Sequence, residues 1–352
     1  MIKVCGLTLY GTQAASTRYR LGQYVPGLKA DGIDLRITPL LGDEYVRCSF
    51  TGEAYSIKKL LIDYVSRLVS LTRQGKYDLA IVHVELFPLL PGGIESRLLR
   101  IPYIYDFDDA FFLKYHQERF RRVSFFLKDK FAPVLSRAAA VLAGNHYLAD
   151  YANQLNPATT FLPTVVDTER YVHLRRELDD IFTVGWIGSP STSVYLSALV
   201  SPLAQLGREG PVRFIVVGGR CEAIDGVEVV NLPWEEATEV RLINKFDVGV
   251  MPLFDDEWAR GKCALKLIQY MACGVPVIAS PVGANLDVIN GSCGLLASDS
   301  DGWLQGLRQL RDNRALRRNL GVAGRQCVEQ YYSLRAGLPV MTNAIKTVAA
   351  MR

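Results

Sequence analysis

At 352 residues the chain is long enough for two domains of ordinary size. Its composition, 49% hydrophobic and 22% charged, is that of a globular protein and excludes a disordered one. The net charge of only +4 argues against a generally basic nucleic-acid binder, and no apolar run nears the roughly 20 residues of a membrane span.

The opening MIKVCGLTLYG lacks the charged, apolar and cleavable layout of a secretory leader and reads as a strand over Ile2–Leu9. Gly11–Arg20, GTQAASTRYR, follows it and should line a strand-end crevice through Thr12 and Arg18. Arg18 or Arg20 can reach a phosphate across that crevice, but a surface arginine at a helix start is the favoured reading. No G-x-G-x-x-G accompanies this turn, so a dinucleotide fingerprint is unsupported. Leu79–Val84 is the next clear strand, and His83 and Glu85 stand at its end, His83 also reading as a packed core histidine. Tyr103–Asp106 then opens the run YDFDDAFF, which crowds Asp106, Asp108 and Asp109 together. Alternation points Asp106 and Asp108 the same way, and close like charges raise one pKa. One of them is then suited to orient a hydroxyl or take its proton, while the competing reading is a helix cap.

Residues 111–131, FFLKYHQERFRRVSFFLKDKF, hold six basic and two acidic side chains interleaved with seven aromatics. They read as an amphipathic helix that either lies on an anionic membrane surface or buries its phenylalanines and shows its arginines to water. Ala140–Ala143 is the last clear strand of the first half. Leu162–Leu174, with Pro163, an extended TVVD stretch and the charged ELDD behind it, reads as a linker and sets a boundary near residue 175.

In the second half the strands are Thr183–Trp186, Arg213–Val217, Val248–Met251 and Val275–Ala279. Strands alternating with helical patterns throughout predict α/β layers around parallel sheets. TVGWIGSPST, Thr183–Thr192, enters a small-residue loop in which Gly188, Ser189 and Ser191 can act as a phosphate cradle. Asp255, Asp256, Trp258 and Arg260 precede the most informative segment, KCALKLIQYMAC from Lys262 to Cys273, which runs into GVPVIAS. It reads as a short helix opening at Gly261, a stop at Gly274 and a buried strand. Lys262 and Lys266 then share one helical face near the positive end of the dipole, a seat for a phosphate-bearing ligand or a pair of solvated lysines. Ser280–Asn285 is a turn-rich loop beyond that strand. Leu316–Tyr332 and Ser333–Arg352 read as two closing helices. Seven cysteines, an odd count with no C-x-x-C, suggest neither a zinc site nor a disulfide framework. His83, His116, His146 and His173 form no metal-ligand spacing, so no structural metal is expected, and the expected compartment is the cytoplasm.

YMACGVPVIASPVGAN resembles the signature of the nucleotide-sugar-dependent retaining glycosyltransferases of the GT-B class, family 4. AAVLAGNHYLADY at 139–151, FLPTVVDTERY at 161–171, FDVGVMPL at 246–253 and the 321–333 region are similar to further landmarks of that family in the same order. The resemblance implies two Rossmann-like, doubly wound parallel-sheet domains facing a central cleft. Residues 1–174 would form the acceptor-side domain, 175–332 the donor domain, and 333–352 a helix crossing back. The family's two signature acids are replaced here by Gly261 and Gln269, and the arginine and lysine that usually grip the diphosphate after the Thr183–Trp186 strand are missing. The diphosphate would therefore fall to Gly188, Ser189, Lys262 and Lys266, and the ribose or sugar to Gln269, Gly283, Ala284 and Asn285. Leu232 and Pro233 of LPWEE would read the nucleobase, and Trp234 beside them reads as core.

The acceptor side would hold Thr12, Arg18, His83 and Glu85, with Asp106 and Asp108 as the catalytic candidates. The implied activity is transfer of a hexose-type sugar, with retention and without a metal or cofactor, from a nucleotide diphosphate sugar to a glycan or lipid-linked acceptor. Contact with the inner face of a membrane through residues 111–131 goes with it, and nucleic acid does not. Two other readings share these residues: a nucleotide-sugar epimerase of the same fold, and a non-catalytic partner subunit.

Overall fold

The computed structural model describes residues 1–174, 181–289 and 291–351. The chain divides into two compact units. The first takes Met1–Thr164, Arg260–Cys263 and Leu334–Arg352, the second Val165–Ala259 and Ala264–Ser333. Residues 165–174, read from sequence as the end of the first half, thus belong to the second unit. Glu177–Asp180, the charged part of the expected linker, lies outside the described residues.

The first unit is built on six strands: β1 (Ile2–Tyr10), β2 (Ile33–Leu41), β3 (Leu79–His83), β4 (Tyr103–Phe107), β5 (Ala140–Ala143) and β6 (Thr159–Phe161). They form one sheet in the order β2-β1-β3-β4-β5-β6 with every pairing parallel. The second unit repeats the plan with β7 (Phe182–Ile187), β8 (Val212–Val217), β9 (Val227–Leu232), β10 (Val248–Met251), β11 (Val277–Ala279) and β12 (Leu295–Leu296). Their order is β12-β11-β10-β7-β8-β9, again parallel throughout. Parallel strands are joined by crossovers that cover both faces, which is why the central strands are continuous runs of buried residues. Both are Rossmann-like α/β sheets.

Strand order fixes where each unit can hold a ligand. In the first sheet the chain reverses direction between β1 and β3, and in the second between β7 and β10. Open α/β sheets bind ligands outside the carboxyl ends of the strands at such a reversal. The loops brought together are Gly11–Gln13 with Val84–Glu85 in the first unit, and Gly188–Ser189 with Pro252–Asp256 in the second.

Two elements differ from their sequence reading. Residues 111–131 are not one amphipathic helix but a chain of short turns: 3-10 turns at Phe111–His116 and Glu118–Phe120, a four-residue helix Ser124–Leu127, and the start of the Phe131–Arg137 helix. Burial decides this, because Lys114 and Lys130 turn inward to meet buried carboxylates and break any regular polar face. The helix read within Lys262–Cys273 begins at Leu265 and ends at Ala272, so Lys262 lies ahead of it and shares no helical face with Lys266. Its first cap is Ala264 in the left-handed region at φ 53°, a turn that ends the preceding extended segment. Among the described residues no helix is long and apolar enough to cross a membrane. All seven cysteines are free and buried.

Candidate active site

The polar centre of the first unit is a chain of buried charges at the ends of β3 and β4. Asp106 has no solvent exposure and accepts from Arg20, whose Nε lies 3.2 Å from both carboxylate oxygens and whose Nη1 donates to the Leu162 carbonyl at 2.6 Å. The other neighbour of Asp106 is His83, with Nδ1 at 2.8 Å. Burial alone would raise the Asp106 pKa, but Arg20 and His83 outweigh it and hold the carboxylate below its ordinary range. His83 Nε2 is buried without a hydrogen-bond partner among the described residues and stands 3.9 Å from Asp108. Asp106 and Asp108 therefore face the two nitrogens of one ring, as strand alternation requires. Their acidities part, however, since burial raises Asp108. Arg18 and Arg20 are both buried and are not the surface arginines that a helix start suggests.

Glu85 is not open to a ligand either. Its Oε1 accepts from Tyr115 at 2.6 Å and meets Lys130 at 2.9 Å, while Lys114 pairs with Oε2. Lys130 also reaches Glu95 at 2.9 Å. Desolvation would raise Glu85, and Lys130 and Lys114 overcome it to hold the carboxylate ionised. Between His83 and Glu85, Val84 sits at φ 70°, a strained position for a β-branched residue, with its carbonyl held by Tyr105 Oη at 2.8 Å. Thr12 is exposed and 3.5 Å from Asp43, whose other oxygen accepts from the Gln13 amide at 2.9 Å.

The Arg260–Cys263 segment is part of this unit. Asn145 caps the His146–Asn153 helix by accepting from the Leu148 amide, and its Nδ2 donates to the carbonyls of Arg260 and Lys262, each at 3.0 Å. Cys263 Sγ approaches the Asp108 carbonyl at 3.1 Å, and Lys262 Nζ lies 3.7 Å from Asp109. A Cβ on Gly261 would lie 2.6 Å from the Ala110 backbone nitrogen. Close packing thus explains the glycine where the resemblance implies an acid.

In the second unit, Lys266 is the second residue of the Leu265–Ala272 helix, and its Nζ stands 5.5 Å over the ring of Trp186 on β7. The cap residue Ala264 makes no side-chain cap hydrogen bond, and among the described residues the first-turn amides face a ligand or solvent. Tyr270 ties it to the end of β7 by accepting from the Ile187 amide at 2.8 Å. The cradle expected from Gly188 and Ser189 is already occupied at the backbone: Gly188 N–H donates to Val217 at 2.9 Å, and Ser189 N–H donates to Thr192 Oγ1 at 3.2 Å. The hydroxyls of Ser189 and Ser191, 3.0 Å apart, stand there as side-chain groups, with that of Ser189 also capping the turn that begins at Pro190.

Gln269 is buried and donates to Tyr171 Oη at 2.9 Å, and Tyr171 in turn donates to Glu239, which also accepts from Trp234 Nε1. Neither Tyr171 nor Glu239 carries a local sequence signal for a site: one is the last aromatic of FLPTVVDTERY and the other an ordinary acid. Asn285 is buried and ties its own loop to the Ser280 carbonyl at 3.0 Å, with Gly283 and Ala284 starting the short helix beside it. Leu232 ends β9, its carbonyl accepting from Gly218, and Pro233 follows exposed. Asp256 caps the Ala259 amide at 2.7 Å. Among the described residues no group of three or more His, Cys, Asp or Glu is placed to hold a metal ion.

Comparison with known proteins relates this arrangement of two parallel sheets to one class. Residues 180–313 match the family model described as glycosyl transferases group 1. Over its full length the chain is similar to sucrose-phosphate synthase from Thermosynechococcus elongatus, at 16% identity, TM-score 0.72 and 100% coverage of both chains. It is also similar to Anabaena HepE in complex with UDP and glucose, at 14% identity and TM-score 0.70 over 99% of this chain and 100% of that one. S. aureus MnaA bound to UDP follows at 12% identity and TM-score 0.61, over 100% and 98%. No curated protein matches the sequence as a relative. The fold is that of GT-B glycosyltransferases, and the 180–313 segment carries the group 1 pattern.

Two outcomes follow for the buried charges. Replacing Arg20 by Met strands the Asp106 carboxylate and should cost about 3–5 kcal/mol, while the Arg20→Met/Asp106→Leu double variant should cost less than the sum of the singles. Denaturant unfolding measures this, and strict additivity would contradict the pairing. Burial pushes Asp109 up to about 6, partly offset by Lys262. A carboxyl raised above its unfolded value loses stability as pH climbs from about 4 through the folded pKa. Asp109→Asn should therefore stabilise by about 1–2 kcal/mol above that window and by nothing below it. Equal differences in Tm at pH 4 and pH 7.5 would rule the assignment out.

Proposed function

We propose that the protein is a retaining glycosyltransferase that moves a hexose-type sugar from a UDP-sugar to a glycan or lipid-linked acceptor. The observation carrying this reading is Lys266 at the uncapped start of the Leu265–Ala272 helix, inside the segment matching group 1 glycosyl transferases. UDP is favoured because HepE and MnaA are both seen with it.

In this reading the diphosphate sits on the first amides of the helix and the Lys266 ammonium, with the Ser189 hydroxyl beside them. As the bond from the anomeric carbon to the diphosphate oxygen breaks, negative charge builds on the leaving phosphate. Fixed N–H dipoles and an ammonium held at that point stabilise the charge without reorganising, the largest kind of contribution such a site makes. The cation that meets the leaving group is an amino-acid side chain, so the proposed reaction uses no metal. Gly283 and Ala284 would approach the sugar through backbone atoms, and Leu232 and Pro233 would flank the base. Gln269, tied to Tyr171, would act on the ribose only through that pair. Lys262, held beside Asp109, drops out of the diphosphate set.

For the acceptor we assign Asp108 and the His83 Nε2 edge. Asp106 is fully committed to Arg20 and His83 and so positions the imidazole. Of the Asp106–Asp108 pair, Asp108 is the carboxyl whose pKa is raised, which suits a group that hydrogen-bonds an acceptor hydroxyl and accepts its proton. Retention needs the hydroxyl placed on the face from which the diphosphate departs, more than it needs a strong base. Peripheral attachment to the inner membrane face belongs to the same reading. Phe125 and Phe126 are 81% and 71% exposed among the exposed bases Arg119, Arg121, Arg122 and Lys128, which fits an interfacial anchor for a lipid-linked acceptor.

Lys266→Ala should weaken UDP affinity roughly 10- to 100-fold, the loss of one charge-assisted contact, and lower transfer from UDP-glucose in parallel. Calorimetry with UDP and a product assay measure the two effects. Unchanged affinity and rate in a folded variant would sink the assignment.

A further inference from the structure

The second unit contains a cavity of about 620 Å³ at the amino ends of its strands, the opposite end of the sheet from the loops discussed above. Asp247, just before β10, and Val275 and Pro276, just before β11, form part of its wall. Along one side runs the Arg314–Tyr331 helix, which turns Arg314, Arg317, Arg318 and Arg325 toward the cavity at successive turns. Phe246 and Val322 add apolar surface. The volume falls in the range of small-molecule sites, and a mostly apolar wall with a few convergent charges is their usual make-up.

The charges divide into two kinds. Arg325 is tied down, with Nη2 donating to the Thr168 carbonyl at 2.9 Å, Nη1 to those of Tyr171 and Ala272, and Nε pairing with Glu329 at 2.6 Å. Arg317 donates to the Arg311 carbonyl at 2.9 Å and stands 3.9 Å from Asp247. Hydrogen bonds to carbonyls orient a guanidinium without cancelling its charge. Asp247 is the one carboxylate in the wall among the described residues, and its Oδ2 accepts from the Thr183 amide at 2.8 Å. Arg314 and Arg318, one turn apart, are exposed, and neither side chain makes an ion pair or hydrogen bond among the described residues. Arg314 and Arg318 are thus two like charges one turn apart at the cavity, and an anion relieves their repulsion. Guanidinium forks match phosphate oxygens in particular.

We propose that this cavity is a second ligand site, for a phosphate ester or diphosphate on a body no larger than a nucleotide. Its phosphate is held by Arg314 and Arg318 with Arg317 behind them, and its apolar part by Val275, Pro276 and Val322. The site is separate from the donor site: it shares no residue with Lys266, Ser189 or the Gly283–Asn285 loop. The far end of the donor-site helix does reach it, since Gly274, just beyond that helix, lines the cavity.

The test is calorimetry at low salt with pyrophosphate, UMP and glucose 6-phosphate, one at a time, on the intact chain, on Lys266→Ala and on Arg314→Glu/Arg318→Glu. At least one probe should bind Lys266→Ala as it binds the parent and lose roughly 10-fold or more in affinity on Arg314→Glu/Arg318→Glu. The probe that binds tightest tells a bare diphosphate from a nucleotide or a sugar phosphate. Both changed arginines are exposed, so the melting temperature without ligand should stay near the parent's. If a destabilised variant confuses the result, Arg314→Gln/Arg318→Gln serves in its place. The proposal is overturned if no probe binds at millimolar concentration, or if every binding event disappears with Lys266→Ala and survives the arginine changes. The first outcome would leave the donor reading intact, and the second would assign all phosphate binding to it.

Discussion

A parallel strand covered on both faces has room for polar side chains only at its ends. That constraint shapes both units. Their sheets are apolar through the middle, so charge and hydrogen-bonding capacity collect where the strands stop and the chain turns. In the first unit these ends are themselves deep, and an isolated carboxylate at Asp106 or Glu85 would be too costly to ionise. Each is met by cations drawn from distant parts of the chain: Arg20 for Asp106, Lys114 and Lys130 for Glu85. These pairs bring together the turn after β1, the ends of β3 and β4, and the segment around residues 114–130. Such clusters contribute less net stability than their count suggests, but removing one partner is severe.

The same constraint sorts the polar residues into fixed and available ones. Asp106, Glu85, Arg20 and Gln269 spend their hydrogen bonds inside the protein. His83 Nε2, Asp108 and the first amides of the Leu265–Ala272 helix are placed at the edge of those networks. Glycines mark where backbone approaches too closely for any side chain. A Cβ on Gly185 would enter the Phe246 ring at 2.0 Å, and one on Gly321 would lie 2.2 Å from the Gly274 carbonyl oxygen.

How much of this was legible follows from which strands a period reveals. The eight strands read from sequence are the eight interior ones, and the four that escaped are β2, β6, β9 and β12, the edges of the two sheets. An edge strand is covered on fewer sides, and β9 mixes half-buried and exposed positions with no fully buried residue. Its sequence therefore carries no continuous apolar run. At the site, chemistry at strand ends was legible as residue types, and partnership was not. Nothing local to YDFDDAFF says that Arg20, some 86 positions earlier, neutralises Asp106. Lys262 reads as helical because Ala264 is a strong helix former, yet Ala264 adopts a left-handed turn that tertiary packing imposes. In the 111–131 segment the inward pull of Glu85 on Lys114 and Lys130 overrode an amphipathic pattern that is plain in the sequence.

The central claim is that a diphosphate seats on the open start of the Leu265–Ala272 helix. Amides of a first helical turn have no intrahelical partner and exchange with solvent unless something else accepts from them. Hydrogen–deuterium exchange of the intact chain with and without saturating UDP examines those amides directly. The account predicts that peptides covering Leu265–Leu267 gain protection on binding, together with those around Ser189. UDP binding that leaves the first turn of this helix unprotected, with protection confined to other strand ends, would contradict it.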